Sequence, residues 1–374
     1  MNDPLRPLAS ILDLPFVELQ AQMAAWRETR FRAEQIWKWL YVHLVDDYSQ
    51  MSNLPLSLRQ RLESLYLLSP LAPLDEQVSA DRLTRKTLFR LPDGETIESV
   101  LMEYDQRQTV CVSSQVGCPV ACMFCATGQS GFVRNLQPAE IVAQPLYYAR
   151  LLAPQAAPSA PATGKALSNV VIMGMGEPLL NYDAVWQAIE TWNDHRGLNM
   201  GARKITLSTA GYVPGINRLA TESLQVGLAV SLHAADDALR DRLVPLNRRY
   251  PLPELLSACR DYVSQTGRRI TIEYALIEQV NDAISHARQL ARLLHGLLCH
   301  VNLIPLNPTP GCDYQPSPLE RVRAFQRALV DQQIAATVRV RRGLDVLAGC
   351  GQLRQRHGAS PSSETATADP APNA

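Results

Sequence analysis

The sequence carries no excess of charge of either sign. Lysine plus arginine and aspartate plus glutamate stand at 36 each, so the chain as a whole has no long-range attraction for nucleic acid or for an anionic membrane. Any polyanion has to be held by a local patch. No apolar run approaches the ~20 residues that span a bilayer, and the opening Met1-Asn2-Asp3-Pro4 lacks the basic-then-apolar order of a signal peptide. These absences lead to the expectation of a cytoplasmic protein with no membrane partner. A P-loop lysine motif is missing too, which removes a common means of holding a nucleoside triphosphate.

What the sequence does have is length and cysteine. Its 374 residues, 46% of them hydrophobic, suffice for one large domain and a small accessory one. Eight cysteines in a cytoplasmic chain argue for metal binding or thiol chemistry rather than a disulfide framework. Three of them, Cys118, Cys122 and Cys125, stand in a C-x3-C-x2-C spacing directly after the apolar run Thr109-Val110-Cys111-Val112. Thiolate selects zinc, copper(I) or an iron-sulfur cluster. A structural zinc site takes four protein ligands, whereas a three-ligand site keeps one position open. An open-sided iron-sulfur cluster is the sharper reading, with zinc and plain buried thiols as alternatives.

Residues 1–80 read as a helical accessory domain, with Ala33, Ile36, Trp37 and Leu40 on one helical face and the tryptophans assigned to its core. Residues 81–104 read as an extended, hairpin-like segment: Lys86–Leu91 and Thr96–Met102 flank the turn signal Pro92-Asp93-Gly94. Alternation places Glu98 on one face with Thr96 and Val100; spacing alone favours a water-facing strand residue over an acid/base group.

From about residue 105 to 343, strands alternate with helices. Strands are expected at 108–114, 169–174, 204–208, 225–231, 270–275, 301–305 and 337–341, with helices including 138–152, 183–193, 253–266 and 318–332. This is an α/β pattern of about six units, a partial (β/α)6 TIM-like barrel. Residues 153–165, rich in proline and alanine, read as a flexible insertion, residues 344–357 as a loop carrying Cys350, and 358–374 as a disordered tail.

In such barrels chemistry sits on the loops that leave the carboxyl ends of the strands. The cysteine loop, Gly174-Met175-Gly176-Glu177-Pro178, Ser208, Ser231-Leu232-His233 and Asn307 all fall there. Glycines allow close backbone approach, and the neutral polar groups with one carboxylate suit a zwitterionic nucleoside-containing cofactor. His233 taken singly reads as a satisfied structural residue. Cys350, between glycines, reads as an accessible, reactive thiol. From Val338 to His357 five arginines oppose the single acid Asp345, which fits a phosphate-contacting patch or a solvated face equally well. Cys259 reads as a core residue, and Cys299 and Cys312 as structural.

The cysteine spacing, with Phe124 before the third cysteine, resembles the radical S-adenosylmethionine (SAM) signature. Together with Val112-Ser113-Ser114-Gln115-Val116-Gly117, Met173-Gly174-Met175-Gly176-Glu177-Pro178, Ser231-Leu232-His233-Ala234 and Cys350-Gly351-Gln352-Leu353, it is similar to the RlmN/Cfr family of RNA adenine methyltransferases, from about Phe31 to Leu353. The resemblance implies a [4Fe-4S] cluster on Cys118, Cys122 and Cys125, and two SAM molecules per turnover held by Gly176, Glu177, Ser208, Ser231, Leu232, His233 and Asn307. It further implies that Cys350 is methylated first, that Glu98 is the general base, and that Cys111 attacks Cys350 to release the product as a disulfide forms. The implied target is carbon 2 of an adenine in 23S ribosomal RNA and adenine 37 of transfer RNA, with an external electron donor. Carbon 8 of the same ribosomal adenine is the alternative within the family, and a radical SAM enzyme with a non-RNA substrate is the alternative outside it.

Overall fold

The computed structural model of the protein describes residues 8–153, 167–309, 311–339 and 342–353. Most of the expected insertion, all of the expected tail, and Arg341, Arg354 and Arg356 lie outside the described residues.

Near the amino end, helices α1 (Phe16–Ala25), α2 (Phe31–Tyr41) and α3 (Leu56–Leu65) pack together. The apolar stripe of α2 is buried as its spacing dictates, with Ala33, Ile36, Trp37 and Leu40 all within the core. Trp37 meets Phe16 edge-to-face at 5.4 Å between ring centroids. The helical reading stops short of residue 80, however. Residues 72–78 form a strand, β1 (Ala72–Val78), at the sheet's edge. Most of its side chains face water, so they show neither the alternation of a half-buried strand nor a helical stripe.

Nine further strands continue the same sheet: β2 (Thr84–Arg90), β3 (Thr96–Tyr104), β4 (Arg107–Cys111), β7 (Asn169–Ile172), β8 (Ile205–Thr209), β9 (Gly227–Ser231), β10 (Ile270–Leu276), β11 (Cys299–Pro305) and β12 (Ala336–Val338). β1 to β4 pair antiparallel, and from β4 onward every pairing is parallel. Six parallel pairings thus make the partial barrel that the repeat pattern suggests. Two short strands outside that sheet, β5 (Gln115–Gly117) and β6 (Phe132–Asn135), form an antiparallel clasp, and the loop with the three cysteines is what the clasp encloses.

The short helix α4 (Ala126–Gln129) follows the third cysteine. Helices α5 (Pro138–Leu152), α6 (Tyr182–Asn193), α7 (Val213–Leu219), α8 (Asp237–Leu243), α9 (Leu252–Thr266), α10 (Ile284–Leu294) and α11 (Leu319–Val330) alternate with the parallel strands.

Buried polar side chains fix the clasp to the barrel. Gln144 of α5, wholly buried, accepts from the Ser113 N–H at 2.8 Å and donates to the Ser113 carbonyl at 2.9 Å. Asn181 donates to the carbonyls of Ser114 and Leu136, each at 2.9 Å. The chain between β4 and β5 thereby loses its ladder partners without leaving its peptide groups unpaired.

Two glycines separate backbone strain from steric space. Gly117 (φ +73°) and Gly94 (φ +89°) both occupy the left-handed region, but a Cβ on Gly117 would overlap the Gly131 carbonyl, whereas nothing lies within 4 Å of one on Gly94. Gly94→Ala is expected to lower stability by about 1 kcal/mol from strain alone. Gly117→Ala should cost at least about 3 kcal/mol, because the clasp has to move as well. Urea unfolding of the two variants checks this, and equal losses would contradict it.

Candidate active site

The cysteine loop turns back on itself because Gly117 and Ala121 both have positive φ, +73° and +56°, and because the Cys118 N–H donates to the Gly131 carbonyl at 2.8 Å. The three cysteines line a cavity of about 160 Å3 at the carboxyl edge of the parallel strands. Burial pushes the Cys118 thiol up to about 12 and raises those of Cys122 and Cys125 as well. Left alone they are protonated; soft iron is the partner that would take them as thiolates. Among the described residues no three His, Cys, Asp or Glu side chains are grouped to grip a single metal ion. Three thiols facing an open cavity instead fit a multi-iron cluster with one accessible position.

Gly176, Glu177, Ser208, Ser231, His233, Asn307 and Cys350 line the same cavity. Gly174 and Gly176 pass so close to the clasp that a Cβ on the former would strike the Val112 carbonyl and on the latter the Gln115 side chain. The Glu177 carboxylate accepts from Leu179 N–H at 3.2 Å and Ala210 N–H at 2.7 Å, tying the rim of β7 to that of β8. Burial raises its pKa to about 7 despite these bonds. Its own N–H donates to Gln115 Oε1 at 2.8 Å.

His233 sits at φ +60° and accepts the Ala275 N–H on Nδ1 at 3.0 Å. Its ring meets Phe124 of the cysteine loop edge-to-face at 4.9 Å. It is therefore both a satisfied buried histidine and part of the cavity wall. Leu232 contributes only main chain to this neighbourhood: its side chain is wholly buried, its N–H donates to the Glu273 carbonyl and its own carbonyl accepts from Arg240.

Asn307 ties the cavity wall to the Cys350 loop. Its amide nitrogen donates to the Cys350 carbonyl at 3.1 Å, while its Oδ1 is buried with no hydrogen-bond partner. An unpaired acceptor of this kind costs about 1–3 kcal/mol until a ligand donor meets it. The Cys350 loop is more firmly held than its glycines suggest. Gln352 Oε1 accepts the Gly349 N–H at 2.9 Å, and Gln352 Nε2 donates to the Pro308 carbonyl at 2.7 Å. Ala126 N–H donates to the Gly351 carbonyl at 2.7 Å, and Thr127 Oγ1 bonds the Leu353 carbonyl. The loop is thus latched to the residues that follow the third cysteine.

Cys111 and Glu98 lie outside the cavity lining. Cys111, at the end of β4, pairs in register with Val100 of β3 and Val171 of β7. Burial is the main cause that pushes its thiol up to about 12, with Cys350 adding to the rise and Arg339 opposing it. Glu98, on β3, is only 1% exposed. Its carboxylate lies 3.3 Å from Lys86 Nζ, and that ammonium also donates to the Leu347 carbonyl at 3.4 Å in the loop before Cys350. The water-facing reading from strand alternation therefore fails. β3 is covered on both faces, so period-two spacing does not mark a wet side.

Several charged residues here carry no motif and were not legible as site residues. Arg240, wholly buried, donates to the carbonyls of Leu232, Ala210 and Ser231 and to Asn247. Glu273 and Arg339 both line the cavity. Arg339 is held charged by Cys350 and Glu273 against the cost of burial. Half-buried, it lines the cavity instead of standing on an open face. Only its place in the otherwise apolar β10 could have flagged Glu273 in the sequence.

Burial depresses His233 from 6.5 to about 3, so the folded protein keeps it neutral. On acidification the unfolded chain takes up the proton first, and stability present above about pH 6.5 is lost progressively as the pH falls towards 3. At roughly 1.4 kcal/mol per pKa unit, this residue should account for a few kcal/mol. Urea unfolding of the cluster-free chain between pH 7 and 4 should therefore be steeper in pH than that of His233→Asn; matching slopes would contradict the assignment.

Residues 9–68 match the family described as ribosomal RNA large subunit methyltransferase N-terminal domain, and residues 112–291 match the radical SAM superfamily. The chain is 49% identical, over 94% of its length and 97% of the relative's, to a probable dual-specificity RNA methyltransferase RlmN of Roseiflexus sp. (strain RS-1). It is 47% identical, over 92% of its length and 94% of the relative's, to the dual-specificity RNA methyltransferase RlmN 1 of Myxococcus xanthus (strain DK1622). A crystal structure of a radical SAM methyltransferase from Sphaerobacter thermophilus superposes with a TM-score of 0.89 at 52% identity, covering 93% of this chain and 99% of that one. The cysteine loop, the cavity it opens on and the accessory helices thus belong to one inherited arrangement, and the chain is a member of the RlmN family of radical SAM RNA methyltransferases.

Proposed function

We propose that this enzyme methylates carbon 2 of an adenine in RNA, taking both methyl group and radical from SAM. Its substrates are an adenine in the peptidyl-transferase centre of 23S ribosomal RNA and adenine 37 of transfer RNA, and its place of action is the cytoplasm. The observation that carries this reading is that Cys350 lies on the wall of the same cavity that Cys118, Cys122 and Cys125 line.

The chemistry of the target explains why five cysteines are needed. Carbon 2 of adenine is an electron-poor amidine carbon with no lone pair, so it cannot displace the methyl group of SAM directly. Cys118, Cys122 and Cys125 would hold a [4Fe-4S] cluster, which when bound would pass a single electron from an external donor to SAM and so allow its reductive cleavage.

The remaining work belongs to side chains of this chain. Cys350 sulfur attacks the methyl carbon of a first SAM; the carbon–sulfonium bond breaks and S-adenosylhomocysteine leaves. Glu177, Ser208, Ser231, Asn307 and the main chain at Gly176, Leu232 and His233 hold a second SAM, with Asn307 Oδ1 offering its unmet acceptor. The 5′-deoxyadenosyl radical from that second SAM would take a hydrogen atom from the S-methyl group and leave as 5′-deoxyadenosine; the methylene radical so formed bonds to carbon 2, and the adduct gives up one electron, which the bound cluster would take back. Glu98 then removes the ring proton from the protein-bound adduct. Its pairing with Lys86, which also grips Leu347, ties the base to the loop that carries Cys350. Finally the Cys111 thiol gives up its proton and its sulfur attacks Cys350 sulfur: the disulfide forms as the bond from Cys350 sulfur to carbon breaks, the electron pair stays on that carbon, and a proton completes the methyl group of the released RNA.

Incubation with methyl-labelled SAM is expected to place label on the peptide containing Cys350, and none on that peptide in Cys350→Ala. Nucleoside mass mapping of the RNA product should show 2-methyladenosine. Turnover by Cys350→Ala would contradict the thiol's role, and 8-methyladenosine as the sole product would contradict the choice of carbon.

A further inference from the structure

A second, smaller cavity of about 20 Å3, room for a single water, lies beside Cys350 and is lined by Met102, Tyr104, Arg339, Arg342, Asn307 and Cys350 among others. Tyr104 closes β3, half-buried, and pairs across a two-residue turn with Arg107 of β4. Two guanidinium groups lie over its ring: that of Arg107 at 4.3 Å and that of Arg342 at 4.5 Å from the centroid.

The two arginines differ in how well they are settled. Arg107 is exposed to water. Arg342 donates from Nη1 to the Glu103 carbonyl at a long 3.3 Å, and its Nε is buried with no hydrogen-bond partner. A charged donor left dry in this way is costly, so Arg342 covers the ring without being well satisfied there. A guanidinium plane and a nucleobase use an aromatic face in the same manner, and stacking on such a face is tolerant of which base arrives.

We propose that Tyr104 is the platform on which the substrate's reacting adenine stacks, and that Arg342 occupies this place in the RNA-free protein. This rests on the reading of the chain as an RNA adenine methyltransferase. Three observations support it. Tyr104 and Cys350 share one small cavity, so a base on that ring lies against the thiol that would deliver the carbon. The cavity as it stands has no room for a purine, and Arg342 is the wall that can yield with a gain in hydrogen bonding. An adenine brought to this depth has left its helical stack and needs a replacement for it.

The test is equilibrium binding, by fluorescence anisotropy, of two RNA hairpins that differ only in having adenine or an abasic site at the reactive loop position. The unaltered protein is expected to bind the adenine hairpin roughly ten-fold more tightly, the usual scale of one base–aromatic stack. Tyr104→Ala should erase that difference, Tyr104→Phe should keep it, and Arg342→Ala, which uncovers the ring, should keep or enlarge it. Thermal unfolding of each variant confirms that the fold is intact. A full adenine preference in a folded Tyr104→Ala, or its loss in a folded Arg342→Ala, would overturn the platform while leaving the proposed function standing. Absence of any adenine preference in the unaltered protein, together with no methylation of the adenine hairpin, would overturn the functional reading itself.

Discussion

The site depends on how polar groups are satisfied where the parallel strands end. There the backbone leaves its ladder, and each freed carbonyl or N–H must find a partner inside the protein. Arg240 takes the carbonyls of Ala210, Ser231 and Leu232; Glu177 takes the N–H groups of Leu179 and Ala210; His233 takes that of Ala275. Because these bonds cross from one strand end to the next, the rim is rigid before any ligand arrives. Against that background the unpaired Asn307 Oδ1 and the three thiols are polar groups of the cavity wall left open to a ligand.

The same logic links the two sulfur chemistries. The clasp of β5 and β6 sets the cysteine loop, and the residues just after it, Ala126 and Thr127, bond the carbonyls of Gly351 and Leu353. Cys350 is thereby indexed to the cysteine loop on one side and, through Lys86 and Leu347, to Glu98 on the other. Cys111 ends β4, the strand that pairs with the one carrying Glu98. Groups more than 200 residues apart in sequence are held by a few main-chain hydrogen bonds rather than by large side-chain contacts.

Much of this was legible in the sequence, and its limits have physical causes. Apolar runs alternating with helical stripes revealed the parallel strands, since each is buried and each needs a crossover helix. The rim loops followed from strand polarity. β1 was illegible because an edge strand facing water has no pattern to lose, and β5 and β6 because three or four residues are too few to show a period. Glu98 was misread as water-facing because alternation reports two faces, not which of them is wet. The arginine run near Cys350 looked like a surface patch, yet half-buried Arg339 lines the cavity with Glu273 and Cys350, and Arg342 covers Tyr104. Charge counts carry no depth. Lys86, Arg240 and Glu273 were missed for the same reason: a lone charged residue in an apolar segment announces that it has a partner, but not which one.

The central claim is that Cys111 and Cys350 are two halves of one release step. It is tested most directly by incubating Cys111→Ala with SAM, a reductant and substrate RNA, then digesting the product with nuclease and protease for mass spectrometry. The account predicts a nucleotide bonded through a one-carbon bridge to the peptide containing Cys350, with little free methylated RNA. Release of methylated RNA by Cys111→Ala at the unaltered enzyme's yield, with no such adduct, would contradict it.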